Sequence, residues 1–148
     1  MINWTFSLFN DLNIHELYKI MALRSKIFVV EQNCVYQDLD EKDQQSSHLC
    51  GWEGDKLIAY TRILPPGVSY KEASLGRVMV HPDYRTKGIG KELTEISIEK
   101  TLNHFNVNEI RISAQSHLID FYIQCGFIDT GKNYLEDDIP HTEMFYKK

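Results

Sequence analysis

Ile2, Trp4, Phe6 and Leu8 alternate with polar positions, the period-two pattern of a strand with one buried face. Asn13 stands three residues before Glu16 as a helix cap, and Ile14, Leu17, Tyr18 and Met21 follow at helical spacing. That spacing predicts a helix to about Phe28. Residues 48–53 and 56–64 read as two strands joined across Gly54-Asp55, a tight-turn pair, and Pro65-Pro66-Gly67 closes the second. Residues 75–80 make the next strand, residues 88 to about 103 a helix, and residues 110–113 a short strand. Ser116 is placed to cap a helix through Gln124, with Gly126 as its left-handed stop. Phe127-Ile128 and residues 144–146 supply the last two strands. The order β-α-β-β-β-α-β-α-β-β predicts an α/β fold in which a mixed sheet carries helices on both faces. With no internal repeat, low-complexity tract or linker, residues 1–148 read as one domain.

Composition narrows the classes. Hydrophobic content of 43% and charged content of 25% are ordinary for a soluble chain. No apolar run reaches the length of a membrane span, and the amino terminus lacks a basic start and apolar centre, so the expected address is the cytoplasm. The net charge of −5 argues against nucleic-acid binding, which needs a basic face, and suits a cationic partner such as an amine. Cys34, Cys50 and Cys125 are odd in number and widely spaced, which gives neither a disulfide framework nor a metal pair. Asp38-x-Asp40 opens like a calcium loop but lacks the glycine and closing glutamate. His15-Glu16 has no second histidine at Lys19, and no Gly-x-Ser-x-Gly elbow is present, so neither metal nor serine chemistry is expected.

The chemistry concentrates between Val78 and Leu93. A short apolar run ends at His81-Pro82, and Arg85-x-x-Gly88-x-Gly90 then opens an amphipathic helix. Helix starts leave backbone N–H groups unpaired and carry partial positive charge, so they attract phosphate. Gly88 and Gly90 let the main chain approach a ligand with no Cβ in the way. The loop is not a Walker A motif, because Glu92 follows Gly90-Lys91, and not a dinucleotide fingerprint, because Leu93 replaces the third glycine.

Val78, Val80, Arg85, Gly88 and Gly90 closely resemble motif A of the GNAT superfamily of acyl-CoA N-acyltransferases. The resemblance implies that main-chain groups along Val78, Met79 and Val80 hold the pantetheine arm of acetyl-CoA. It also implies that the amides of Thr86, Lys87, Gly88, Ile89, Gly90 and Lys91 bind its pyrophosphate, with Arg85 adding charge. In that family the strand bulges and splays from its neighbour, leaving a cleft. A second motif, Phe121-Tyr122-x-x-x-Gly126-Phe127, implies that Tyr122 serves the departing thiolate, and Gln115 takes the place of a cofactor-contacting asparagine.

Residues from Leu23 to His48, with Ile139-Pro140-His141-x-x-Met144, are similar to the ElaA-like branch of the same family. Polar groups there would line the acceptor side. An amine with a pKa of about 10.4 must lose a proton before attack, for which Glu31 and then His48 are the candidate bases. Arg24, Asp40, Arg77 and His141 are the candidate acceptor contacts. The resemblance thus implies an acetyltransferase acting by direct attack on a small-molecule or peptide amine, without metal, nucleic acid or membrane, and allows a homodimer. A noncatalytic acyl-CoA-binding module would share the motif A residues, and a transferase of longer acyl chains would share all of them.

Overall fold

The computed structural model describes residues 1–148. Its elements are β1 (Asn3–Leu8), α1 (Ile14–Arg24), β2 (Ser47–Glu53), β3 (Lys56–Leu64), β4 (Ser74–Val80), α2 (Ile89–Phe105), β5 (Glu109–Gln115), α3 (Ile119–Gln124), β6 (Ile128–Glu136) and β7 (Ile139–Lys147). The predicted order of ten elements is present. Asn13 caps α1 reciprocally: its side chain accepts from the Glu16 N–H at 2.8 Å, and its own N–H donates to Glu16 Oε1 at 2.9 Å.

The strands form two antiparallel sheets, β1-β2-β3-β4 and β5-β7-β6. They meet at a parallel bridge between Ala73 and Ile110, reinforced where the Arg111 N–H donates to Ala73 O at 3.0 Å. Beyond that bridge β4 and β5 run apart, which is the splayed central pair of the expected mixed arrangement. Opposite Thr61 the register skips: Tyr60 pairs with Met79 and Arg62 with Gly76, so Arg77 and Val78 face one residue of β3. Arg77 takes φ +52 there. A non-glycine residue in this region stores about 1–3 kcal/mol of strain and persists only where its surroundings hold it.

Two apolar layers cover the sheet. Ile20, Leu23 and Ile27 pack with Cys50, Trp52, Leu57, Tyr60 and Met79 on one face. Ile89, Leu93, Ile98 and Leu102 of α2 and Tyr122 of α3 pack with Ile58, Ile63, Leu75, Ile110 and Ile112 on the other.

Three local expectations change. The first helix stops as an α-helix at Arg24, and residues Ser25–Glu31 continue as a π-helix, a form often found beside functional sites. Ser116 does not cap α3; a 3-10 turn, Ser116–Leu118, precedes that helix, and the Ser116 hydroxyl pairs with Thr142 Oγ1 at 2.8 Å. The last two strands are nine residues each, joined by the two-residue turn Asp137-Asp138 with φ +51 and +63.

Candidate functional site

The divergence of β4 and β5 opens a cleft of about 1060 Å³. The end of the π-helix and the loop after it form one wall, with Glu31, Gln32, Tyr36 and Asp40. Val78, Met79 and Val80 of β4 line it, as do Gln115 of β5, Tyr122 of α3, and Glu136 and Asp137 at the β6–β7 turn.

Which peptide groups of β4 face the opening follows from alternation. The His81 N–H donates to Ile58 O of β3 at 2.7 Å, so the polar groups of Val80 and Val78 point away from β3, toward β5. The Val80 carbonyl accepts from Arg85 Nε at 3.2 Å, in keeping with that direction. Met79 is turned the other way: its side chain is buried with Tyr60 and Leu23, and its peptide groups face β3. The side chains of Val78 and Val80 pack against the α2 core.

At the mouth of the cleft the chain runs from Arg85 into α2. None of the six amides from Thr86 to Lys91 donates to a protein acceptor; the first intrahelical bond is Glu92 N–H to Gly88 O at 3.3 Å. Gly88 is the N-cap at φ +76, and Thr86 stands at φ +68, so two left-handed residues shape the loop that carries these unpaired amides. A Cβ on Gly90 would meet Phe121 and Val80 side-chain carbons at 3.8 Å, ordinary contact, so packing within the protein does not demand glycine there. Unpaired N–H groups on a helix start and bare backbone at its lip fit a phosphorylated ligand lying against the loop.

Tyr122 sits deeper. The residue is 6% exposed, and its ring meets those of Phe121 and Phe127 edge-on at centroid distances of 5.2 and 5.7 Å. No hydrogen bond joins its hydroxyl to the protein, and the residue lines the cleft. Burial, with a smaller push from Cys125, raises the phenol above its ordinary pKa and keeps it protonated.

Glu31 and Arg85, both at the cleft, are joined to each other: Arg85 Nη2 to Glu31 Oε1 at 2.7 Å and Nη1 to Oε2 at 3.1 Å. Gln115 Nε2 donates to Gln32 Oε1 at 3.2 Å and so ties β5 to the π-helix side. Gln32 belongs to the ElaA-like stretch but was assigned no role, because its pairing with Gln115 spans 83 residues. His141 lines the cleft with Nδ1 on Ile139 O at 2.7 Å and Nε2 at 3.4 Å from Glu136, its ring stacked on Tyr134.

Asp40 and Arg77 face the cleft within a larger charge cluster. Asp40 accepts from Arg62 at 2.6 and 2.8 Å, and Arg77 donates to Asp38 Oδ1 at 2.7 Å and to the Asp38 carbonyl at 2.9 Å. Burial alone would raise the Asp40 pKa, but the Arg62 hydrogen bonds and charge outweigh it and bring it down to about 2. The Arg77 contacts hold the loop against the β4 bulge and explain how φ +52 is tolerated.

Two residues lie elsewhere than expected. Arg24 has no exposed surface; Nε holds Asp38 Oδ2 at 2.8 Å, Nη1 holds Asp43 Oδ1 at 2.6 Å, and Nη2 holds the Asp38 carbonyl at 3.2 Å. It is an internal cross-brace and touches no acceptor. His48 is equally enclosed, with Nε2 at 3.0 Å from Asp43 O and Nδ1 at 2.6 Å from the Tyr60 hydroxyl. The carbonyl can only accept, so Nε2 carries the proton and Nδ1 accepts from Tyr60. Burial lowers its pKa, and with both nitrogens engaged and no face on the cleft, His48 is withdrawn as a base. Arg62, which the sequence reading overlooked, does line the cleft; its Nε is a buried donor without a partner.

The splayed strands, the bulge and the glycine-bearing loop after Arg85 are the features the sequence resemblance implied, and the comparisons identify the family. The chain belongs to the GNAT acetyltransferases: the family model described as an acetyltransferase (GNAT) domain matches residues 21–148. Within the family it is ElaA-like. Protein ElaA of Escherichia coli is 38% identical over 146 residues, covering 97% of this chain and 95% of that protein. The crystal structure of E. coli ElaA superposes with a TM-score of 0.93 at 36% identity, covering 99% of this chain and 100% of that one. The crystal structure of an acyl-CoA N-acyltransferase from Pseudomonas aeruginosa gives the same TM-score and identity, covering 99% of each chain. No helix is long and apolar enough to cross a membrane.

Proposed function

We propose that this chain is an N-acetyltransferase that passes the acetyl group of acetyl-CoA to an amine by direct attack in a ternary complex. The observation that carries the reading is the continuity of one cleft: the loop with six unpaired amides meets it at Arg85 and Gly90, Val78 and Val80 line its wall, and Tyr122, whose hydroxyl is bonded to no protein group, lies inside. Acetyl-CoA supplies a thioester whose carbonyl carbon an uncharged amine attacks. The amides of Thr86 to Lys91 bind the diphosphate, and β4 pairs with the pantetheine arm in the manner of an added strand. The Val78 N–H polarises the thioester carbonyl as an oxyanion donor. Tyr122, protonated and free of internal partners, donates to the leaving sulfur.

Glu31 is the remaining base, acting directly or through water. Asp40, held at low pKa by Arg62, is a poor proton acceptor and serves with Arg77 and His141 to shape the acceptor side. Alignment of both reactants in the cleft supplies much of the acceleration. An acidic chain with three free cysteines suits a cationic amine, small molecule or peptide, in a reducing cytoplasm.

The test is an amine panel incubated with acetyl-CoA and the protein, scored by thiol release and by acetyl mass gain on the acceptor. Acetylation of at least one amine, dependent on Tyr122, is the expected result. Coenzyme A binding with no thiol release from any donor across a broad panel would identify a noncatalytic acyl-CoA-binding protein instead. Turnover with longer acyl-CoA donors alone would remove the acetyl assignment.

A further inference from the structure

Arg85 bridges three places at the mouth of the cleft. Its Nη1 and Nη2 grip both oxygens of Glu31, 54 residues away on the π-helix, and its Nε donates to the Val80 carbonyl of β4. Each contact occupies a group that the proposed reaction needs free. Glu31 is the base, the Val80 carbonyl belongs to the wall that pairs with the pantetheine arm, and Arg85 itself adjoins the six unpaired amides. We propose that the Arg85–Glu31 pair is a latch opened by the diphosphate of the acyl donor, so that Glu31 sets donor affinity and is released as a base only after the donor is seated. This rests on the acetyl-CoA reading above.

The energetics favour the exchange. Both side chains are about two-fifths exposed, 42% for Arg85 and 40% for Glu31, so solvent screens the pair and it contributes little. A diphosphate offers the guanidinium charge-assisted, bidentate bonds beside six amides that no protein group occupies. Arg85 precedes Thr86 directly, so a side-chain rotation carries it from the carboxylate toward the loop without moving β4 or α2. A donor lacking the diphosphate, such as an acyl-pantetheine, has nothing to draw Arg85 away and leaves Glu31 engaged. The latch therefore selects for complete coenzyme A thioesters and orders their addition before the amine.

A double-mutant cycle tests this by calorimetric titration of coenzyme A into the full-length protein, Glu31→Gln, Arg85→Gln and the double variant. Removing the competitor should tighten coenzyme A by about two- to fivefold in Glu31→Gln, the range to which an exposed ion pair converts. Arg85→Gln should weaken it, and adding Glu31→Gln to that variant should change nothing further. Unchanged affinity in Glu31→Gln would overturn the latch. An equal gain in the Arg85→Gln background would also overturn it, since general charge repulsion would then account for the gain. Failure of the unmodified protein to bind coenzyme A would instead overturn the acetyl-CoA reading, and the latch with it.

Discussion

Replacing Tyr122 by Phe removes one oxygen from a residue that lines the cleft. Because the hydroxyl has no hydrogen bond to the protein, the change breaks no internal pairing. The contacts of the ring with Phe121 and Phe127 are made by carbon and survive it. Stability should therefore stay within about 1 kcal/mol of the parent, as expected when no partner is stranded. Turnover should respond quite differently. General-acid assistance contributes roughly 10²- to 10⁴-fold, and a thiol with a pKa of about 8.5 is a fairly good leaving group, so a loss of about 10² is expected. Affinity for coenzyme A should move far less, since its proposed contacts lie along β4 and the Thr86–Lys91 loop. Three measurements on one preparation separate these effects: thermal unfolding, calorimetric binding of coenzyme A, and thiol release with an amine substrate. A folded Tyr122→Phe protein that binds coenzyme A normally and turns over at the parent rate would remove Tyr122 from the chemistry.

Gly88→Val should weaken coenzyme A binding at least about tenfold, because a β-branched residue at φ +76 is strained and turns the loop amides out of line; unchanged calorimetric affinity in a folded variant would contradict the loop assignment. Arg24→Met takes one of two arginine partners from each of the buried carboxylates Asp38 and Asp43, which keep Arg77 and Arg62, and should cost about 2–3 kcal/mol in urea unfolding. A loss below about 1 kcal/mol would show that the cluster rearranges freely. Asp40, with a pKa of about 2 against an ordinary 3.8, takes up its proton more readily in the unfolded chain. Its contribution, at most about 2 kcal/mol, is thus complete above pH 4 and lost between about pH 4 and pH 2. Asp40→Asn should flatten the unfolding free energy over that interval, and an unaltered acid slope would refute the assignment.

The elements that position the Arg85–Gly90 loop were legible because their signals are local. Alternation in β1, the Asn13–Glu16 cap and the glycines after Arg85 each act within a few residues, and each appears where the pattern placed it. The π-helix was not legible, since apolar Ile27, Phe28, Val29 and Val30 satisfy α and π spacing alike over so short a stretch. β6 was largely missed because all nine of its residues are exposed, leaving no buried face to alternate. The roles of Arg24 and His48 were misjudged for a different reason. Residue type marks them as chemically capable, but their partners lie 19 and 12 residues away: Asp43 arrives when the loop folds over the sheet, and Tyr60 when β2 pairs with β3. The Arg85–Glu31 pair is of the same kind: each residue was singled out, and their union was invisible.

The central claim is that the amides of residues 86–91 hold the diphosphate of an acyl donor. An amide-resolved NMR titration of the isotope-labelled protein with coenzyme A reads those groups individually. The account predicts that the N–H signals from Thr86 to Lys91 shift together and saturably, with pantetheine alone leaving them in place. Saturable coenzyme A binding that leaves these six resonances unmoved would contradict it.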